Sequence, residues 1–226
     1  MPRALTEQEK CRQCQRLLDK GKSFVLSHGI KKVSIDDIAK AADMAKGTFY
    51  QHFESKEKYL LALIEDIHKH AFAKSEQMII AIFEGQPAIG RVGGEPNEKN
   101  TKGQLAAGIS ERSSGTCGLR AGAREFFKNL FIMPEMAFFI QNEPDIEKLL
   151  LDMMEDEDIR EFKQMEAGMF EKLLRSLGVD TNKIKPGVVH NILHTLYLTM
   201  SCDLMTADDL PETVNLLTDC LITYIF

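Results

Sequence analysis

Between Ser34 and Lys58 the chain carries a dense set of hydrogen-bond donors: Lys46, Thr48, Tyr50, Gln51, His52 and Lys56. Their chemistry is that of recognising a polyanion and the base edges it presents. Lysine or arginine reaching guanine N7 and O6 is the commonest specific contact to duplex DNA, and glutamine can pair bidentately with adenine. Lys46 and Gln51 are therefore candidates for base readout. Ala45 and Thr48 can offer a methyl group to a thymine methyl. Tyr50, His52 and Lys56 suit phosphate oxygens, contacts that fix register but carry no sequence information. Ser34 can give its hydroxyl to a phosphate as well as capping the helix that follows. For Tyr50 and His52 the alternative is that they pack the interior of a small domain.

Two short helices are needed to present such a set. Ser34 can accept a hydrogen bond from an orphan backbone N–H, which places Asp36 and Asp37 at the positive end of a helix dipole. Ile35, Ile38, Ala39 and Ala42 give that helix an apolar face. Asp43 is expected to cap a second helix, within which Gly47 lets backbone approach backbone. Phe49 and Phe53, four residues apart, point together into a core. Two small helices, a tight turn and exposed donors fit a helix-turn-helix whose second helix enters the major groove.

The run Lys46-Gly47-Thr48-Phe49-Tyr50-Gln51-His52-Phe53, followed by Ser55-Lys56-Glu57, resembles the signature of the tetracycline-repressor-like (TetR) family of bacterial regulators. The likeness extends upstream through Phe24, Gly29 and the Ser34–Ala42 helix, covering residues 10–60. It implies an all-α chain: an N-terminal three-helix helix-turn-helix domain, assigned to 1–58, and a helical ligand-binding and dimerisation domain, assigned to 59–226. It also implies that Met44, Ala45, Lys46, Tyr50, Gln51, His52 and Lys56 stand at positions that face DNA, although several members carry Ser or Thr where Met44 and Ala45 stand here. A two-fold dimer follows from the same resemblance. So does a mechanism in which a ligand in the body shifts the fourth helix, spreads the two heads and releases the operator.

Composition sets the outer bounds. The 226 residues are 27% charged and 44% hydrophobic, enough for two domains with a good core. No apolar run approaches the ~18 residues of a membrane span, and the first residues show no apolar secretory core, so a cytoplasmic protein with no membrane partner is expected. Residues 1–58 carry 12 Lys/Arg against 8 Asp/Glu, or +4, while the remainder carries 16 against 26, or −10. An acidic body with a mildly basic head confines attraction for nucleic acid to one end. Five cysteines form no even framework and point to free thiols. Cys11 and Cys14 have a metal or redox spacing, but no second pair follows and Cys14 falls on the apolar stripe of the first helix. His190 and His194 lack an obvious third ligand. Neither set supports a cofactor.

Helical periodicity covers most of the chain. A first helix spans 8–28 and ends at Gly29, and Ser55 caps a long fourth helix running to Glu84. Residues 85–122 hold nine of the fifteen glycines and no aromatic residue. A flexible loop, a poorly formed helix around Gly103–Glu111 and a local sequence anomaly compete there, and the loop is preferred. Helical pattern returns at Ala123 and continues, with Gly178 and Pro186 as punctuation, to Phe226. The body is rich in Met and Phe, which suit either a plain helical core or a pocket for a lipophilic ligand. Phe127, Phe131, Met136, Phe139, Phe162, Met165 and Met169 are the candidate ligand-binding residues. The last two helices are apolar on more than one side and must be covered on both. Val189, Leu193, Leu196, Met200, Leu217, Leu221 and Tyr224 are the candidate dimer contacts, in a four-helix isologous interface.

The resulting expectation is a ligand-responsive dimeric repressor that binds a pseudo-palindromic operator and is released by a small, lipophilic effector. The alternative is a helical sensor or interaction protein without tight DNA binding. An enzyme is not expected, because no nucleophile–base pair, phosphate loop or metal set is visible.

Overall fold

Thr6 starts the first helix by a reciprocal pair of bonds: its hydroxyl accepts from Glu9 N at 3.2 Å, and its own N–H donates to Glu9 Oε2 at 2.8 Å. This capping box satisfies two of the N–H groups that a helix start leaves without partners. The computed structural model describes residues 6–84, 116–200 and 208–226. Among them the chain is all-α, with α1 (Glu7–His28), a 3-10 turn (Ile30–Lys32), α2 (Ile35–Ala41), α3 (Lys46–His52) and α4 (Lys56–Glu84). There follow α5 (Thr116–Phe131), α6 (Pro134–Gln141), α7 (Glu143–Met153), α8 (Asp156–Ser176), α9 (Pro186–Met200) and α10 (Leu210–Ile225). No described helix is long and apolar enough to cross a membrane.

The helices form two compact units, Met1–Ala71 with Pro134–Glu161, and Phe72–Met133 with Phe162–Phe226. The units interleave in sequence. The cause is local: α6 packs on α1.

In the first unit, Leu17 and Val25 of α1, Ile38 of α2, Phe49 of α3 and Tyr59, Leu63, Ile64 and Ile67 of α4 are almost wholly buried. Each large apolar side chain so buried contributes about 1.5–3 kcal/mol relative to exposure. Tyr59 is the largest of them, and its hydroxyl donates to the Leu17 carbonyl at 2.9 Å. That bond depends on Gly21, because a Cβ there would lie 1.8 Å from the Tyr59 oxygen. Lys22 and Asp66 add an ion pair of 2.9 Å between α1 and α4. The α6–α7 corner joins through buried Asn142, whose Oδ1 accepts from Ile30 N at 3.0 Å while its amide donates to Phe138 O at 2.8 Å. Lys31 and Asp145 pair at 3.1 Å beside it.

In the second unit, α10 packs against α9 and α5. Phe126, Phe127, Leu174, Leu177, Leu196 and Leu221 are buried there, and Arg124 pairs with Asp219. Residues 116–122, expected as part of the glycine-rich loop, are the opening turns of α5. Gly122 is the reason that glycine content misled: it is a packing residue, since a Cβ there would come within 2.7 Å of the Phe83 ring. Residues 85–115 of that expected loop lie outside the described residues, as does the stretch 201–207.

Gly21→Ala is expected to lower the unfolding free energy by about 3 kcal/mol, from overpacking and loss of the Tyr59 bond. Tyr59→Phe removes the obstructing oxygen, so the double variant should cost less than the sum of the single ones. Urea unfolding of the four proteins measures both effects.

Candidate nucleic-acid interface

The frame of the interface is built from small, locally determined parts. Ser34 caps α2, its hydroxyl 3.5 Å from Asp37 N, and Asp36 and Asp37 fill the first turn as the dipole favours. Asp43 does not cap α3 as expected. The cap position requires extended backbone immediately before the helix, and Ala45 holds it, with φ −71° and ψ 148° and no side-chain bond. Asp43 instead makes the turn itself at φ 56°, a left-handed conformation that aspartate tolerates better than most residues. Met44 N donates to Ala39 O at 2.9 Å and Asp43 N to Lys40 O at 3.0 Å. From α1, the Arg16 guanidinium donates to Ala42 O at 2.7 Å, fixing the turn from behind.

Within α3, Phe49 points inward and meets the rings of Tyr50, Phe53 and Tyr59 at 5.3, 5.5 and 5.0 Å. Phe53 is buried as well. With that face committed, the opposite one is free: Ala45, Lys46 and Gln51 are exposed, and Tyr50 is 46% exposed. Lys46 and Tyr50 lie four apart on one helical row. Ser34, Met44, Thr48, His52 and Lys56 are half-buried at the margins.

Two of the candidates on α3 have side-chain partners on other helices. Lys46 Nζ is 2.9 Å from Asp36 Oδ2, and this bond raises the lysine pKa, keeping the ammonium charged. His52 Nε2 is 3.0 Å from Gln13 Oε1 of α1. Burial, with a smaller contribution from Lys10, lowers the His52 pKa below its usual 6.5, so the ring is neutral at pH 7. A neutral His52 brings no charge, and its single N–H is the one facing Gln13 Oε1, so it can meet a phosphate only by giving up that bond. Sequence reasoning did not find Asp36, Arg16 or Gln13 as supports of this face. No periodicity joins them to α3, because each comes from another helix.

A family model described as bacterial regulatory proteins, tetR family, matches residues 17–63. The chain carries a TetR-family DNA-binding domain. Two curated relatives match the same region. The uncharacterised helix-turn-helix transcriptional regulator YwcC of Bacillus subtilis (strain 168) is 39% identical over 51 residues, and the transcriptional repressor DhaR of Mycobacterium sp. (strain GP1) is 44% identical over 45 residues. These matches cover 23% and 20% of the chain and only 23% of each relative's length. Over 95% of the chain the fold is similar to a crystal structure of a candidate transcriptional regulator from Streptomyces coelicolor A3(2), covering 98% of that chain with a TM-score of 0.59 at 14% identity.

Outside the TetR-family domain the remaining candidates are dispersed. Of the proposed ligand residues, Met136 and Phe139 belong to the first unit, where the Phe139 ring stacks on His68 at 3.9 Å. Phe127, Phe131, Phe162, Met165 and Met169 belong to the second; Phe127 and Phe131 are buried, Phe162 and Met169 half-buried, and Met165 is exposed. Of the proposed dimer contacts, Val189, Leu193, Leu196 and Leu221 are already buried within their own unit, because α9 and α10 pack on each other. Leu217 and Tyr224 are exposed, joined on these helices by Val188, Leu198 and Leu216. The Met200 side chain lies outside the described residues. His190 meets the Phe170 ring edge-on at 5.6 Å. Among the described residues no group of three or more His, Cys, Asp or Glu is placed to hold a metal ion.

Asp43→Gly is expected to stabilise the protein by about 0.5–1 kcal/mol, since glycine adopts positive φ without strain, and Asp43→Val to destabilise it by about 1–2 kcal/mol. Thermal unfolding distinguishes the two signs.

Proposed function

We propose that the protein is a dimeric, ligand-responsive transcriptional repressor, with residues 1–58 as its DNA-binding head and 59–226 as its effector-binding and dimerisation body. The observation that carries this reading is the face of α3: inward aromatics hold it rigidly while Lys46, Tyr50 and Gln51 stand exposed on a TetR-family helix-turn-helix. In this reading Lys46 and Gln51 read base edges, with Ala45 and Thr48 against thymine methyls. Ser34, Met44, Tyr50, His52 and Lys56 hold the sugar–phosphate backbone on either side.

One seven-residue helix reads few base pairs, so a second copy related by a two-fold axis supplies the rest, and the operator is pseudo-palindromic. The apolar side chains left exposed on α9 and α10, Val188, Leu198, Leu216, Leu217 and Tyr224, support an interface between copies. They revise the interface first drawn from periodicity, of which Val189, Leu193, Leu196 and Leu221 fill the monomer's own core. The Met and Phe side chains of the body support a lipophilic effector. To act as an inducer, that effector must bind the DNA-incompetent state more tightly than the competent one.

Selection of a duplex from random-sequence DNA by the full-length protein tests the reading. A pseudo-palindrome is expected, bound with an affinity that falls steeply as salt rises. Lys46→Ala should weaken that complex by about 1–3 kcal/mol. A Leu216→Asp, Leu217→Asp double variant should sediment as a monomer and lose the two-half-site complex. Failure to enrich any sequence would refute the repressor reading. A monomeric wild type, or a double variant that stays dimeric, would refute the interface.

A further inference from the structure

Asp36 is an acidic residue on the face that the proposed function turns towards a polyanion. Its side chain is 65% exposed, and it reaches from the first turn of α2 to Lys46, ten positions on, at the start of α3. Lys40 and Asp43 line the same shallow depression between the two helices. The helix dipole gives one reason for an acid here, but Asp37 in the same turn meets that need. The bond to Lys46 is made by Asp36.

We infer that Asp36 is a positioning residue for base recognition: it holds the Lys46 ammonium over the recognition face and so favours base contact over phosphate contact. The inference rests on DNA recognition by this domain. An ammonium has three N–H donors. With one engaged by Asp36 Oδ2 at 2.9 Å, two remain for guanine N7 and O6. The long lysine side chain is then ordered before DNA arrives, which removes much of its rotamer entropy cost from complex formation. Moving the ammonium outward to a phosphate would break the pair and leave the Asp36 carboxylate facing the DNA backbone. Base reading keeps the pair; phosphate binding forfeits it. Asp36 thereby weakens complexes with arbitrary DNA more than the complex with the preferred sequence.

The experiment compares a duplex selected from random DNA by the full-length wild type with a scrambled duplex of equal length. Wild type, Asp36→Asn, Asp36→Glu, Lys46→Ala and the Asp36→Asn, Lys46→Ala double variant are titrated with both across a salt series, after thermal unfolding confirms that each is folded. Asp36→Asn is expected to tighten binding to the scrambled duplex and to steepen its log–log salt dependence by about 0.9. The ratio of selected to scrambled affinity should fall about two- to fivefold, the scale of an exposed ion pair. Asp36→Glu should keep most of that ratio, and Asp36→Asn should leave it unchanged once Lys46 is absent. Equal tightening on both duplexes, or the same change of ratio with and without Lys46, would mark a plain charge effect and overturn the inference. A wild type that selects no duplex overturns the DNA-recognition reading and this inference with it, whereas a selected duplex with an unchanged ratio in Asp36→Asn overturns this inference alone.

Discussion

The space beside Gly21 is filled by the ring of Tyr59, and the direction of α3 depends on that close approach. Tyr59 brings α4 against α1, and its ring is the surface on which Phe49 and Phe53 rest edge-on, each with centroids 5.0 Å away. A helix of seven residues without a side-chain cap has little stability of its own. What keeps α3 helical and aimed outward is the aromatic wedge beneath it. Its exposed donors are thus set by contacts made entirely on its hidden side.

The same economy governs the backbone groups that the short helices leave over. The turn between α2 and α3 has few residues and a left-handed aspartate, and Arg16 closes the Ala42 carbonyl from α1. Ile30 N is closed by Asn142. Buried peptide groups without such partners would each cost on the order of a hydrogen bond or more. These supports come from elsewhere in the chain, so α3 can vary its exposed residues without disturbing what holds it.

Much of the head was legible in the sequence because its determinants are local. Ser34, the apolar spacing of Ile35, Ile38 and Ala39, and the Phe49–Phe53 pair each speak through a period or a cap, and the structure places them as read. Asp43 was misread because capping and left-handed turn positions both favour aspartate, and only the backbone angles separate them. In the body, periodicity located helices but not their partners. An apolar residue such as Val189 or Leu221 has the same pattern whether it faces its own core or another copy, and here it faces its own core. Gly122 shows the same limit in reverse, its composition suggesting flexibility while its neighbour Phe83 demands a helix without a Cβ.

Asn142 gives the first unit an unusual dependency. The amide of Ile30, at the turn leading into α2, is covered by a side chain 112 positions away on the α6–α7 corner. A fragment ending at Ala71 would contain all of α2 and α3 yet leave this donor without its acceptor and the nearby apolar surface of α1 without α6. The head is therefore a module in sequence but not in folding. Exchange of the Ile30 amide with solvent deuterium reports the opening of a segment that lies, in the chain, on the far side of α5.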